Sequence, residues 1–503
     1  MSVFALLFAA IAFVPIDDRP VTSQLPVMLG RIAGVAVDAP PRALQGHFLQ
    51  AGRSDALIAW LNEEAAKPQT DSFVISADML AYGGLSASRV PGADYAAAES
   101  RLRELAHLRA RRPRAWIGAF GTIMRLAPTG IPTGTAYFAP YPVWQYLQDY
   151  ANLHDPPLPS EEVQAQQLRE LIGEPTFDAY IATRARNLAV DRLLLKLTAN
   201  GTIDRLVLGQ DDAGPVGLHV RDLQTLQADL ASLGLEGRAS IEPGADELGM
   251  ALVAHALART AKWTPHIAVH YSMPSGASYQ DPIEYAPIST AIDALVGLSG
   301  GAADDDHPDI ALYVRVPNTT EAANEAFAAA MAADVSAGRS VALADLSYLK
   351  SYPDQAAFAQ RILASGLASK LDAYSSWNTN ANTVGTALAE AIAVGAGRRM
   401  RTYDDLAHRT FTFTMFLDDY AFHDFVRADL NATLAAQGIM DHTLLPPDIA
   451  ATMSERDRAL LWQYAEKILA QLDPGYHIAS MSLGLPWNRT FETSIGVGLA
   501  PNM

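Results

Sequence analysis

Phe73-Val74-Ile75-Ser76-Ala77-Asp78-Met79-Leu80-Ala81-Tyr82-Gly83-Gly84 is an apolar run of strand length that breaks into polar and glycine chemistry, and it lies between two amphipathic segments, Ser54–Lys67 and Ala96–Arg109. Its apolar residues are continuous rather than alternating, as in a strand covered on both faces. The unit recurs. Runs of the same kind stand at Phe13–Ile16, Gly34–Val37, Trp116–Phe120, Leu206–Leu208, Ala239–Ile241, Ile267–His270, Ile310–Val314, Val341–Ala344 and Leu371–Tyr374. Between them lie further amphipathic segments, among them Asp222–Ser232, Glu247–Ala261, Glu321–Ala337 and Gln355–Ala368. The alternation predicts an α/β fold with a mostly parallel sheet. A (β/α)8-like barrel with a helical C-terminal extension is the leading expectation; because about ten candidate strands exceed the eight of a plain barrel, it would carry extra strands, and an open doubly wound sheet is the alternative.

Two regions break the rhythm. Residues 128 to 200 open with Gly130, Pro132 and Gly134 and an aromatic series, Tyr137, Phe138, Tyr141, Trp144, Tyr146 and Tyr150, before turning helical. An insertion of that length reads as a lid. Residues 401 to 503 read as a helical extension ending in Leu485-Pro486-Trp487-Asn488-Arg489-Thr490-Phe491-Glu492. The α/β domain is then expected over residues 13 to 400. Residues 1 to 12 resemble the apolar part of an export signal with a small-x-small site at Ala10-Ile11-Ala12, although a basic leader is missing; the competing reading extends the first strand. Export would place the protein in the periplasm or outside the cell, and its failure would leave it cytoplasmic.

Composition closes several function classes. The chain has 503 residues, half of them hydrophobic, and a formal net charge of -18. Such a charge opposes binding to nucleic-acid backbones or anionic membranes, which reward clustered Lys and Arg. No cysteine is present, so disulfides, thiolate metal sites and Cys nucleophiles are excluded. The longest apolar run, Val3 to Val14, is too short for an integral membrane segment. No GxSxG elbow, no GxxxxGK[ST] phosphate loop and no GxGxxG turn after a strand is expected, which lowers the Ser-hydrolase and nucleotide-dependent readings. The expected partner is a small molecule or an oligosaccharide.

The chemistry collects after the strands. The first candidate strand runs into Asp17-Asp18-Arg19, the third into Asp78 and Tyr82, and the Trp116 strand into Arg125. The next three run into Gln210-Asp211-Asp212, Gly244-Ala245-Asp246-Glu247 and His270-Tyr271, and the later ones into Arg315, Asp345 and Ser376-Trp377-Asn378-Thr379-Asn380-Ala381-Asn382. In parallel α/β folds these positions converge on the carboxyl edge of the sheet, where ligands bind. A single Asp there is as readily a helix N-cap. Adjacent acids beside arginines are harder to explain that way.

Paired carboxylates are what glycoside hydrolysis needs, one protonated as acid and one ionised as base or nucleophile. The expected catalytic pair takes one residue from Asp211 and Asp212 and one from Asp246 and Glu247. Asp17, Asp18, Arg19, Asp78, Tyr82, Arg89, Arg125, Asp345, Trp377, Asn378 and Asn382 are the expected substrate contacts, with the face of Trp377 offered to a sugar ring. Two alternatives use the same residues: a hydrolase or lyase with Mg²⁺, Mn²⁺ or Ca²⁺ on the acids, and a non-catalytic carbohydrate-binding protein. The twelve histidines show no HExxH spacing, so zinc is disfavoured, and no cofactor is expected.

Taken in order, Pro15-Ile16-Asp17-Asp18-Arg19-Pro20, Ser76-Ala77-Asp78-Met79-Leu80-Ala81-Tyr82-Gly83-Gly84-Leu85 with Ser88-Arg89, Gln210-Asp211-Asp212, Pro243-Gly244-Ala245-Asp246-Glu247 and Trp377-Asn378-Thr379 with Asn382-Thr383-Val384-Gly385 resemble the family catalogued as domain of unknown function 4127. The resemblance spans nearly the whole chain. It implies a bacterial, often exported protein built around these motifs and carries no activity with it. The chain departs from the pattern in its short leader and in Ala77, Ser375 and Ser376.

Overall fold

A computed structural model describes residues 9–125, 158–213, 218–281, 284–346 and 355–502. The chain forms two compact units. The first comprises residues 1–18, 36–252 and 282–286, and the second residues 19–35, 253–281 and 287–503.

The first unit is built on a six-stranded parallel sheet: β1 (Ala10–Val14), β2 (Ala36–Asp38), β3 (Thr70–Ser76), β4 (Trp116–Ile123), β5 (Arg205–Gln210) and β6 (Ala239–Pro243). Their spatial order is β2-β1-β3-β4-β5-β6. All residues of β1 and β4 are buried, which is why their sequences are continuously apolar. The core gathers Val14, Phe73, Ile75, Ile117, Leu206 and Leu208 from the strands with Leu57, Leu61, Leu102, Leu105 and Leu194 from the helices. Local signals place the boundaries. Asp94 caps the helix Tyr95–Arg111 by accepting from the Ala97 amide, and Ser76 caps Ala77–Tyr82 by accepting from the Met79 amide.

The second unit carries a five-stranded parallel sheet: β7 (His266–Tyr271), β8 (Ala302–Ala303), β9 (Ile310–Arg315), β10 (Ser340–Asp345) and β11 (Ala373–Ser375), in the order β11-β10-β9-β7-β8. It adds an antiparallel hairpin, β12 (Tyr476–Gly484) with β13 (Ser494–Pro501). The helix Leu25–Ala33 packs within this unit on the helices Asn380–Met400 and Asp405–Met415. The Leu25–Ala33 helix ends in Gly34 at φ 69°, where a Cβ would lie 2.4 Å from the Thr402 carbonyl oxygen.

The α/β class and the parallel pairing agree with the sequence reading. Among the described residues the strand pairs fall into two sheets rather than one ring. Each order reverses once, β1 to β3 in the first sheet and β7 to β9 in the second, as in doubly wound sheets. Every strand expected from sequence overlaps an observed one. The short β8 and the C-terminal hairpin were not expected; residues 401 to 503 carry that hairpin as well as helices. The aromatic series from Tyr137 to Tyr150 lies outside the described residues. Ala10-Ile11-Ala12, the expected processing site, forms most of β1, with Ile11 and Ala12 fully buried.

Candidate functional site

In the first unit the exits of β1, β3, β4, β5 and β6 lie along one sheet edge, and the acids follow them. Asp18 is anchored, accepting from Arg42 Nε at 2.9 Å with His47 Nδ1 at 2.8 Å, while its amide donates to the Gly46 carbonyl. Asp17 and Asp18 are both buried. Gly83 sits at φ 91°, and its carbonyl accepts from the Gly52 amide at 2.7 Å. A Cβ on Gly46 would lie 2.1 Å from that same oxygen, so these glycines let the chain approach itself.

Asp78 stands in the first turn of its helix, 4% exposed. Burial pushes its carboxyl up to about 7; hydrogen bonds from the Thr122 hydroxyl and amide oppose this, the Asp211 charge adds to it, and Arg89 resists. Its Oδ2 has no hydrogen-bond partner among the described residues. Asp211 is the ion-pair partner of Arg89, whose Nε and Nη2 reach Oδ2 at 2.8 and 2.5 Å with both side chains buried. Arg186 and Asn187 both donate to the Ser88 carbonyl, which holds the arginine's segment in place.

Asp212 is different: its side chain is 43% exposed, and Arg125 Nη1 lies 3.5 Å away. Burial against surrounding protein atoms raises its carboxyl to about 6, with the charges of Asp211 and Asp246 adding and those of Arg125 and Arg89 opposing. Because water reaches the 43% exposed side chain, it weakens the desolvation that is the largest cause as well as the charge effects. Arg184 fixes the exit of β4 by donating to the carbonyls of Met124 and Arg125 while pairing with Asp222. Glu247 is buried, and its carboxyl oxygens have no partner among the described residues. Burial holds it well above the usual carboxylate range, with Asp246, Glu284 and Asp212 adding. Asp246 beside it is partly exposed.

Sequence reasoning missed three residues here. Asp191, buried in the long helix Glu174–Ala199, is held well above the carboxylate range by burial, then by Asp78 and Asp222. Thr122 is the hydrogen-bond donor to Asp78, and Arg184 braces Arg125. A lone Asp, Thr or Arg inside an element gives no signal in sequence. Tyr82, expected to touch substrate, is buried under Arg186, whose guanidinium lies 4.4 Å from its ring, and its hydroxyl has no partner among the described residues.

The second unit holds the other expected contacts. Arg19 lies over the Trp487 ring at 5.0 Å. Asp345 pairs with Arg315 at 3.0 Å, both fully buried. Trp377 is 1% exposed and stacks on His423 at 4.6 Å, so the face expected to meet a sugar is covered by protein. Asn378 takes φ 63°, and Asn382 is buried with neither amide atom hydrogen-bonded among the described residues. Around them the π-helix Phe416–Val426 brings Asp419 to the end of β11, where Ser376 N and Ser375 Oγ donate to it, and brings Asp418 within 3.4 Å of His423. Sequence reading passed over this segment. The letters Gly297-Leu298-Ser299-Gly300-Gly301 fit G-x-S-x-G, but Ser299 is fully buried at the end of the helix Ile288–Leu298 rather than on a strand-to-helix elbow. Among the described residues no three His, Asp or Glu side chains are grouped as for a metal ion.

These features define a class: an α/β protein with two parallel sheets, the first edged with buried carboxyl groups, Asp78 and Glu247 among them raised by burial, and with Asp212 open to solvent beside Arg125. The chain belongs to the family described as Protein of unknown function (DUF4127), which matches residues 11–496. No curated protein and no solved structure matches it. No helix among the described residues is long and apolar enough to cross a membrane.

Proposed function

We propose that the chain is an acid/base hydrolase of glycosidic bonds, acting on an oligosaccharide or glycoconjugate at the acid edge of the first sheet. One observation carries the reading: Asp212 is accessible beside Arg125, its carboxyl shifted upward, and stands next to Asp211, which is tied up as the ion pair of Arg89. An accessible carboxyl raised above its ordinary value, beside an acid held in an ion pair, is suited to acid work. Asp212 then donates the proton to the leaving oxygen. Asp246, partly exposed at the end of the next strand, serves as base or nucleophile on the opposite side of the bond. Asp78 and Glu247, buried and proton-rich, form the neutral floor that keeps negative charge from accumulating under the substrate. Arg125, braced by Arg184, steers Asp212 and lowers its proton affinity as the leaving group departs.

Turnover on a panel of aryl glycosides and oligosaccharides tests this. In Asp212→Asn kcat should fall by about 10²- to 10⁴-fold, the usual worth of a general acid, with ligand affinity retained. Aryl glycosides with good leaving groups should be affected least, because they need little protonation. Full activity in both Asp212→Asn and Asp246→Asn would sink the assignment.

A further inference from the structure

The hairpin of β12 and β13 takes no part in the chemistry above, and it gives the second unit a sheet edge unlike the others among the described residues. The parallel sheets end in short strands: β2 with three residues and β6 with five in the first, β8 with two and β11 with three in the second. Brevity is one of the ways proteins keep sheet edges from pairing with other chains. β12 has nine residues. Its partner β13 is protected, because Gln24 Nε2 donates to the Ile495 carbonyl at 2.6 Å and Pro501 brings no amide. Ile495 and Leu499 of β13 are buried, whereas β12 buries only Leu483. β12 is therefore the outer strand of the pair.

A strand at an edge bonds its neighbour on one side and presents a row of amides and carbonyls on the other. Among the described residues, no backbone group of residues 477–483 hydrogen-bonds outside the hairpin. Side chains leave that row open. Ser480 and Ser482 reach over Gly498 and Gly496 of β13, where a Cβ would lie 2.8 and 2.6 Å from their Oγ atoms, so they lie on the hairpin rather than across its edge. Ala479, Ser480 and Ser482 are exposed, while Tyr476, Ile478 and Met481 are partly buried and leave apolar surface beside the open backbone. The chain carries a net charge of -18, so two copies repel. No Asp, Glu, Lys or Arg occurs in β12 or β13, and here two copies can meet without bringing acids together. A foreign peptide added to a sheet edge is selected by pockets for its alternate side chains, and Ala479, Ser480 and Ser482 are too small to wall one. A second β12 needs none: antiparallel about a two-fold axis, each copy's donors meet the other's acceptors.

We propose that β12 is a self-association edge, through which two copies of the chain pair antiparallel about a two-fold axis and join their hairpins into one continuous sheet. With full overlap the axis passes near Ser480, the middle residue of the strand. The inference stands apart from the hydrolase reading and survives if that reading fails. Sedimentation of the full chain tests it and should show a dimer that dissociates on dilution. The double variant Ser480→Glu with Ser482→Glu sets like charges across the axis and should weaken the dimer about 10-fold or more. Leu233→Glu, at an exposed site in the first unit, should leave it unchanged. The chain has no cysteine, so a single introduced thiol can cross-link only to its copy. Residues opposite each other in an antiparallel pair have Cα atoms about 4.5–5.5 Å apart, within disulfide reach. At least one of Ala479→Cys, Ser480→Cys and Met481→Cys should therefore oxidise to a covalent dimer at dilutions where Leu233→Cys stays monomeric. These replacements add no charge, so they stay informative if the double variant does not fold. A monomer at every concentration, a dimer as tight in the double variant as in the wild type, or no edge cross-link faster than that at Leu233→Cys would each overturn the proposal.

Discussion

The two parallel sheets share a strand order, with the first strand lying between the second and third and the later strands following in sequence, yet their carboxyl edges are built to different ends. Along the first sheet the edge carries Asp17, Asp18, Asp78, Asp211, Asp212, Asp246 and Glu247, and Asp212 opens to solvent. Along the second the comparable ion pair, Arg315 with Asp345, is wholly buried, and the turn where the order reverses is closed by hydroxyl groups. Topology brings loops together at a sheet edge in both. Whether they make a site depends on accessible charge, which residues supply and fold does not.

The sharpest way to break the comparison is to remove the arginine from each edge. Arg89→Leu leaves Asp211 buried without its partner, and Arg315→Leu does the same to Asp345. Each should destabilise the protein by about 3–5 kcal/mol, the typical penalty of an orphaned buried charge. Denaturant titration measures both. They should part in a second reading: Arg89→Leu removes a charge that holds down the proton affinity of Asp212, so the pH profile of turnover should shift upward. Arg315→Leu should leave that profile in place. If the two variants move it alike, the first edge is scaffold rather than site.

Much of this contrast was legible in the sequence, and the reasons differ by residue. Asp78 and Asp211 were singled out because each follows a continuous apolar run, the signature of a strand covered on both faces, whereas Glu247 was singled out as one of an adjacent acid pair after the short, mixed run of β6. Asp191 was not, because one acid in a long helix looks like any solvated position. The segment Phe416–Val426 escaped because a π-helix winds more residues per turn than the α-helix whose spacing sequence reading looks for. The β12–β13 hairpin escaped because most of β12 is exposed or half-exposed and carries no buried stripe. Trp377 was read as an aromatic face offered to a sugar beside amides, but His423, which stacks on it, comes from a distant segment, and only the fold reveals that the ring is covered.

A middle-sized effect concerns protons. Asp78 in the first unit and Asp457 in the second are both raised to about 7 by burial, with the Thr122 and Thr493 hydroxyls opposing. A carboxyl whose folded value lies above its unfolded value holds its proton more tightly when folded. Its stabilising contribution is therefore full below about pH 4 and is lost as pH rises towards 7. For nearly inaccessible Asp78 the loss by pH 8 is on the order of 3 to 4 kcal/mol. Asp78→Asn and Asp457→Asn should each flatten the decline in stability between pH 4 and 8, read by urea titration at several pH values. Only Asp78→Asn should also alter turnover, because Asp78 faces Asp211 and Asp457 does not belong to that edge. Parallel stability curves for wild type and Asp78→Asn would show that the carboxyl is ionised in the folded protein.

The smallest expected effect probes the closed turn of the second sheet. The Thr319 hydroxyl donates to the Val316 carbonyl at 2.7 Å, so its proton is committed and the 2.6 Å contact with Ser272 must run from the Ser272 hydroxyl to Thr319 Oγ1. Ser272 Oγ in turn accepts from the Val316 amide at 3.0 Å. Ser272 is thus the bridge between the exits of β7 and β9. Ser272→Ala leaves a buried amide without an acceptor, at a cost of about 1–2 kcal/mol. Ser272→Thr retains the hydroxyl and should recover most of it. Turnover should be unchanged in both variants, since the bridge closes a crevice rather than forming one. If Ser272→Ala instead creates affinity for a small polar ligand, this edge is a site held shut, and the difference between the two sheets is one of occupancy rather than of construction.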